Sequence, residues 1–221
     1  MAVEVSTNLS ILIQALSFVA LGGLGIQVAE RDVILKDLIK IELGVQAVEL
    51  GFYVTLLKGM SQSDLDLMAR TRYYDWVLTT PTMLFTTINY FAYEKFSNET
   101  LSLNLVWQRH RQVITTILAS NLMMLIVGYL GEIGRIPLDK SIALGFAFLL
   151  LSFGLMYKTF VQDSTEEARQ VFNAMFTLWI FYGVAAGLSK ENKNTAYNIL
   201  DLLAKNFFGI FLYLKVRSKV I

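Results

Sequence analysis

Seven apolar stretches, each close to the length of a membrane-spanning helix, limit what this chain can fold into. A helix needs about 20 mostly apolar residues to cross the hydrocarbon core of a bilayer, and a chain that is 55% hydrophobic with a mean hydropathy of +0.51 can supply them. The pattern predicts an all-α fold, a seven-transmembrane helix bundle that forms one domain over residues 1–221. The predicted spans are 8–29, 33–58, 71–92, 112–131, 141–161, 171–188 and 197–215.

The composition argues against several classes of protein. A formal charge of +1 gives no basic excess for binding nucleic acid. Without cysteine, neither a disulfide framework nor a thiolate metal site can form, and the one histidine, His110, has no second ligand of the usual kind. We therefore expect no metal. The first residues show no basic region and no cleavage site typical of a signal peptide, so we expect the first span to stay in the membrane.

The distribution of lysine and arginine predicts the orientation of the bundle. With the N-terminus outside and the C-terminus in the cytoplasm, the inner loops and tail hold eleven basic residues and the outer loops hold six. Inner loops normally carry this excess. The short polar connections predicted at 58–66, 131–140 and 189–194 and the longer one at 93–107 complete the topology.

Several ionisable residues fall inside the predicted spans, and the last span carries two of them. Asp201 and Lys205 are four residues apart and therefore share one face of a helix. A charge in hydrocarbon is costly and normally marks a functional site. A buried lysine can act as an amine nucleophile toward an aldehyde, and a nearby carboxylate can balance the charge of the resulting imine. A purely structural ion pair between the two residues is the alternative.

The run from Arg72 to Pro81, RYYDWVLTTP, resembles the third-helix signature of microbial rhodopsins. The Asp201 and Lys205 pattern resembles their seventh-helix signature, and the resemblance extends over nearly the whole chain. It implies a photoreceptor or ion transporter rather than an enzyme. It also implies that Lys205 carries all-trans retinal as a covalent Schiff base.

The resemblance assigns roles to the residues around that lysine. It implies that Asp75 is the primary counterion and proton acceptor and that Asp201 is the second counterion. Arg72 is expected to stabilise both carboxylates, and Thr79 to form a hydrogen bond with Asp75 that tunes its proton affinity.

The same resemblance predicts the residues that surround the chromophore. Trp76, Trp179 and Tyr182 are expected to enclose the polyene. The other expected pocket residues lie on the third and fourth helices and are Thr80, Met83, Met124 and Gly128.

The sequence narrows the kind of transport. Outward proton pumps of this family usually carry a carboxyl donor eleven residues after the counterion, where this chain has Thr86. A chloride pump would lack Asp75, and a sodium pump would carry an Asn-Asp-Gln pattern that is absent here. These two pumps are therefore excluded.

The second helix carries two glutamates, Glu42 and Glu49, two turns apart on nearly one face. Channelrhodopsins place glutamates similarly, and their central gate joins a helix-one serine, a helix-two glutamate and the asparagine that follows the retinal lysine. Here Asn206 follows Lys205, and the first helix offers Ser10 and Ser17, of which Ser10 lies nearer the outer end. We expect Glu49 to lie at the depth of the imine and Glu42 closer to the cytoplasm.

Together with the compact length, these residues resemble the viral rhodopsins of large algal viruses. More narrowly, they resemble the group 1 viral rhodopsins, the group described as light-gated cation channels. A light-gated cation channel is thus the first prediction. The partners implied are the lipid bilayer and monovalent cations or protons. A homo-oligomer is compatible with the family, and the location is a multi-pass protein of the host cell membrane if the protein is viral.

Three alternatives remain open at this point. Glu42 and Glu49 can be structural acids that fix helix packing. Glu42 can instead be a displaced proton donor, which would make the protein an outward proton pump. A sensory photoreceptor that signals through a separate partner is the third. If Glu49 lines a pore, Glu49→Gln is expected to alter ion passage and leave the pigment nearly unshifted.

Overall fold

The computed structural model describes residues 2–25, 33–59, 65–96 and 99–218. Within these residues the secondary structure is helical throughout, without strands, and comprises seven α-helices. The prediction of an all-α bundle of seven helices is therefore confirmed.

The helices follow one another with short connections. In chain order they are α1 (Ala2–Ala20), α2 (Val33–Gly59), α3 (Leu65–Lys95), α4 (Leu103–Glu132), α5 (Leu138–Met156), α6 (Glu166–Ala186) and α7 (Lys190–Ser218). Two of them continue into single π-helical turns, α1 into Leu21–Gly25 and α5 into Tyr157–Val161.

Most helices are longer than the apolar spans that predicted them. α4 begins nine residues before the predicted span, and α7 begins at Lys190 inside a segment predicted as a loop. The reason is that backbone hydrogen bonding continues through polar residues beyond the hydrocarbon region, whereas the prediction counted apolar residues. Side chains cap the N-termini of α4 and α6. Ser102 accepts from the Leu105 N–H, and Thr165 accepts from the Ala168 N–H, each at 3.2 Å. Residues 26–29 of the first predicted span and residues 60–64 of a predicted loop lie outside the described part of the chain.

The seven helices pack in chain order as a closed ring, and α3 also reaches α7 across it. α1 packs against α2 and α7, α4 packs against α3 and α5, and α6 packs against α5 and α7. α3 also contacts α2 and α7, so that the three helices carrying the buried ionisable residues meet one another.

The exterior of the bundle is apolar and much of the polar material is inside. Large apolar side chains such as Leu16, Leu78 and Leu150 are more than half exposed, whereas Arg72, Asp201 and Glu42 are fully buried. Among the described residues, three helices are long and apolar enough, by length and composition, to cross a membrane: Ala2–Gly23, Leu103–Glu132 and Leu138–Val161. This arrangement, the reverse of a water-soluble domain, suits a bundle surrounded by lipid.

Candidate functional site

Lys205 is buried at the centre of the bundle, where three carboxyl groups surround its amine. The amine forms a hydrogen bond and ion pair with Asp75 of α3. Its Nζ atom also lies 2.9 Å from Oε2 of Glu49 on α2 and 3.8 Å from Oδ1 of Asp201, one turn back on α7. The expectation that Glu49 lies at the depth of Lys205 agrees with this geometry. The site holds one more acidic group than the expected pair of aspartates.

Asp201 is held by donors from three other helices. Its Oδ1 atom accepts from Trp76 Nε1 at 3.1 Å and from the Tyr182 hydroxyl at 2.7 Å. Its Oδ2 atom accepts from the Tyr53 hydroxyl and from Arg72, each at 2.9 Å. A carboxylate with four donors has its charge well compensated and its orientation fixed.

Arg72 contacts one of the two carboxylates that it was expected to stabilise. Its guanidinium forms an ion pair with Asp201 and hydrogen bonds with Tyr53 and Asn198, but no hydrogen bond or ion pair joins it to Asp75 among the described residues. The reason is geometric. Asn198 and Asp201 are three residues apart on α7, and each accepts a hydrogen bond from one of the two terminal nitrogens of the guanidinium. Arg72 can therefore act on Asp75 only over a longer distance.

Asn198 is a site residue that the sequence reasoning missed. Its side-chain oxygen accepts from Arg72, and its amide donates to Ser6 at 2.7 Å and to Thr7 at 3.0 Å, both on α1. It thereby connects the first helix to the arginine of the third. An asparagine one turn before Asp201 on the same helix face was the available signal.

Thr79 bonds to Asp75 differently from the prediction. Its hydroxyl donates to the backbone carbonyl of Asp75 at 3.0 Å, not to the carboxylate. Threonine in a helix commonly forms this bond to the carbonyl four residues earlier. The Oδ1 atom of Asp75 consequently has no hydrogen-bond partner among the described residues.

An apolar cavity extends from Lys205 between α3, α4, α5 and α6. Its lining is largely apolar and aromatic, as in most small-molecule sites. All eight residues predicted to hold a chromophore line it: Trp76, Thr80, Met83, Met124, Gly128, Trp179, Tyr182 and Lys205. An apolar, aromatic cavity with a lysine in its lining fits an apolar aldehyde such as retinal.

One wall of this cavity was not predicted. It is formed by α5, where Ile142, Phe146 and Leu149 face the cavity, and by Gly183 of α6. A Cβ atom at Gly183 would lie 2.5 Å from Cζ of Phe146, so this glycine makes room for the ring. Gly128 acts in a similar way, since a Cβ there would lie 2.9 Å from the hydroxyl oxygen of Tyr73.

The second helix contributes a buried row of polar side chains. Glu49 accepts a hydrogen bond from Gln14 of α1 at 3.0 Å, and Glu42 accepts one from Thr86 of α3. Thr86 is the position at which a proton pump would carry its donor, so the carboxyl group of Glu42 lies against that position. On α7, the amide of Asn206 donates to the carbonyl of Leu202 at 2.9 Å, and its oxygen has no hydrogen-bond partner among the described residues.

Ser10 does not join Glu42 or Asn206. Its hydroxyl donates to the backbone carbonyl of Asn198 at 3.2 Å, about two turns from Asn206 toward the start of α7. Its assignment to a gate with these two residues is therefore wrong. The reason is depth: α1 begins at Ala2 and runs parallel to α7, so that Ser10 pairs with residues in the first half of α7.

Within the described ranges, no group of three or more potential ligands could hold a metal ion.

Comparison with known proteins shows the class to which this chain belongs. The sequence pattern that defines the bacteriorhodopsin-like protein family matches residues 4–218. The chain therefore belongs to the bacteriorhodopsin-like family of microbial rhodopsins, which are retinal-binding photoreceptors or ion transporters. The family and the apolar helices fit an integral, multi-pass membrane protein.

Individual relatives show which members of this family the chain resembles in fold and sequence. The fold matches the crystal structure of the viral rhodopsin OLPVRII with a TM-score of 0.87 and 25% identity over the full length of both chains. Archaerhodopsin-2 from Halobacterium sp. (strain aus-2) is 25% identical over 201 residues, which cover 80% of this chain and 70% of the relative. A blue light-absorbing proteorhodopsin from Med12 shares the fold, with a TM-score of 0.73 and 19% identity over 99% of this chain and 98% of that one. The chain is thus a microbial rhodopsin similar to the viral rhodopsins.

Proposed function

We propose that this protein is a light-gated cation channel that carries all-trans retinal as a Schiff base on Lys205. The family supplies the expectation of retinal, and the apolar cavity that Lys205 helps to line supports it. When bound, retinal would supply the absorption of visible light and an isomerisation that turns the N–H at Lys205 Nζ away from its partner.

In this proposal, the chain's own residues balance and move charge around that nitrogen. Asp75 contacts Nζ directly and has one oxygen free of hydrogen bonds among the described residues, so it is suited to accept a proton there. Asp201 remains charged, because four hydrogen bonds, one of them from Arg72, stabilise its carboxylate. Asp75 is thus the primary counterion and Asp201 the second.

The observation that carries the channel proposal is the row of buried polar groups beside the lysine. Glu49 of α2 accepts a hydrogen bond from Gln14 and is paired with Lys205. Gln14, Glu42 and Asn206 come from α1, α2 and α7, and each of them keeps a side-chain atom without a hydrogen-bond partner among the described residues. Such atoms are normally satisfied by water. An interior lined by carboxyl and amide groups that can hydrate suits the passage of cations.

A second function, outward proton pumping, is favoured by one specific contact. Glu42 forms its hydrogen bond with Thr86, the position at which pumps of this family carry the internal donor. A carboxyl group at that place can return a proton toward Lys205 after Asp75 has accepted one. Glu42 is the donor in this second proposal.

Whole-cell photocurrents recorded against voltage, with retinal supplied, distinguish these functions. For a channel, we expect the current to reverse sign at a potential that follows the cation gradient when the external cation concentration is changed. A current that stays outward at every voltage would instead identify a pump, and Glu42→Gln would then slow it. A coloured pigment without any current would contradict both and favour a sensory role.

We further propose that the N-terminus lies outside the cell and the C-terminus in the cytoplasm, on the basis of the lysine and arginine excess in the inner loops. For a viral protein, the host cell membrane would be the location, and assembly into a homo-oligomer is compatible with the family.

A further inference from the structure

Gln46 is a buried residue of α2 that has no part in the proposed retinal site or among the counterions. It lies four residues after Glu42 and three before Glu49, and the three side chains share one face of the helix. Its side chain is 2% exposed. The amide packs against Gly209 of α7, since a Cβ atom at Gly209 would lie 2.9 Å from Nε2 of Gln46.

These contacts give the order of the groups along the bundle. Glu49 lies beside Lys205, Gln46 lies beside Gly209, one turn further along α7, and Glu42 lies beside Thr86 of α3. The amide of Gln46 therefore separates the lysine with its carboxyl groups from the second acidic position.

Neither the nitrogen nor the oxygen of the Gln46 amide has a hydrogen-bond partner among the described residues. The same holds for Oε2 of Glu42 and Oδ1 of Asn206. Buried amides are normally bonded to protein or to internal water, and a polar site with several such atoms can hold water. A neutral amide offers an oxygen to a cation and two N–H donors to water without binding the cation as tightly as a carboxylate would.

We propose that the Gln46 amide, packed against Gly209, binds water and passing monovalent cations between Glu49 and Glu42, and so helps to determine which cations pass. The selectivity role rests on the proposed channel function, whereas the binding of water does not. Gln46 is then the narrow polar point of the path, and Gly209 is required because a larger residue would displace the amide.

The water is tested on the purified, retinal-loaded protein by light-induced infrared difference spectra in H₂O and in H₂¹⁸O. We expect oxygen-isotope-sensitive O–H bands in the unsubstituted protein, and we expect Gln46→Leu to remove at least one of them. Gln46→Leu with the full set of water bands would overturn the binding of water at this residue.

The selectivity is tested by photocurrents with sodium on one side of the membrane and potassium on the other. Gln46→Leu should lower the current roughly tenfold, the change produced by losing a hydrogen bond of about 1.4 kcal/mol. Gly209→Ala leaves Gln46 in the sequence but displaces its amide, so it should change the ratio of sodium to potassium passage. The matched control is Gly44→Ala on the exposed side of α2, where a Cβ atom meets nothing within 4 Å.

The outcomes separate the two proposals. If the unsubstituted protein conducts and both Gln46→Leu and Gly209→Ala match the Gly44→Ala control in current and ion ratio, the selectivity role of Gln46 is overturned and the channel function stands. If the unsubstituted protein shows no passive current, the channel function fails and the selectivity role fails with it. The infrared bands then decide alone whether Gln46 binds water.

Discussion

Glu49 changes the electrostatics expected around Lys205. The sequence predicted two aspartates opposite one imine cation and Arg72, a balanced set. With Glu49 at 2.9 Å from Nζ, three acidic groups face two cations in a buried site. At this distance a charge on Glu49 would attract the lysine by about 6 kcal/mol at an effective dielectric constant of ~20. The expectation that Glu49→Gln leaves the pigment nearly unshifted is therefore revised.

Glu49→Gln should move the absorption maximum to longer wavelengths. A carboxylate near the Schiff base stabilises the positive charge there in the ground state, and light moves part of that charge away, so removing the carboxylate narrows the energy gap. Glu42→Gln is the matched control, because Glu42 contacts Thr86 and has no ion pair with Lys205 among the described residues. Visible absorption spectra of both variants decide the question. An unshifted Glu49→Gln pigment would mean that Glu49 carries no charge beside the lysine.

At the scale of the helices, the site depends on where α1 and α7 meet. Asn198 of α7 donates to Ser6 and Thr7 of α1 while its oxygen accepts from Arg72. The position of the arginine is thereby coupled to the packing of the first helix. Arg72 also lies 5.8 Å from the ring centre of Tyr197, the residue before Asn198. The first half of α7 thus positions both the guanidinium and the second counterion.

Asn198→Ala should destabilise the pigment. It leaves buried donors and acceptors of α1 and Arg72 without a partner, which costs about 1–3 kcal/mol. We expect faster loss of the visible band on heating, measured at a fixed temperature in the purified protein. Asn104→Ala is the control, since Asn104 is exposed and bonds to Gln108 on its own helix. Equal rates for the two variants would show that Asn198 does not hold this end of the bundle together.

Much of the fold and of the candidate site could be predicted from the sequence. The features that could not be predicted depend on how the helices pack against one another. The resemblance of α3 and α7 to the family signatures predicted the lysine and both aspartates, because side chains at helical spacing on one element keep their relative positions. The resemblance over the rest of the chain predicted the other cavity residues. The partners of Arg72 and the position of Ser10 were predicted incorrectly because they depend on how deep one helix lies beside another. Asn198, Gln46 and the α5 wall were missed because ordinary polar and apolar residues acquire a role only from what packs against them.

For the whole molecule, the polar row beside Lys205 does not continue to the end of the bundle where α3 finishes. One turn beyond Thr86, Tyr90 is fully buried and packs against Phe208 at 5.9 Å between ring centres. Beyond these rings, Lys215 of α7 lies 3.2 Å from Glu94 of α3 and 2.5 Å from Glu167 of α6. These contacts close the bundle at this end, so the proposed channel would require α3, α6 and α7 to separate there.

The proposed function requires that Lys205 holds the chromophore, and Lys193 is a second buried lysine that could hold it instead. It is also buried, and its partner Glu132 lines the same cavity, but two short contacts of 2.7 and 2.9 Å pair its amine with that carboxylate. Lys205, by contrast, lines the cavity itself. The two residues are therefore a matched pair for testing the attachment.

The most direct measurement is to reconstitute the protein with retinal, reduce the Schiff base with borohydride and locate the retinyl group by peptide mass spectrometry. We predict the label on the peptide that contains Lys205, a visible band that is lost in Lys205→Ala and a visible band that is retained in Lys193→Ala. A label on Lys193, or a visible pigment that survives Lys205→Ala, would contradict the account.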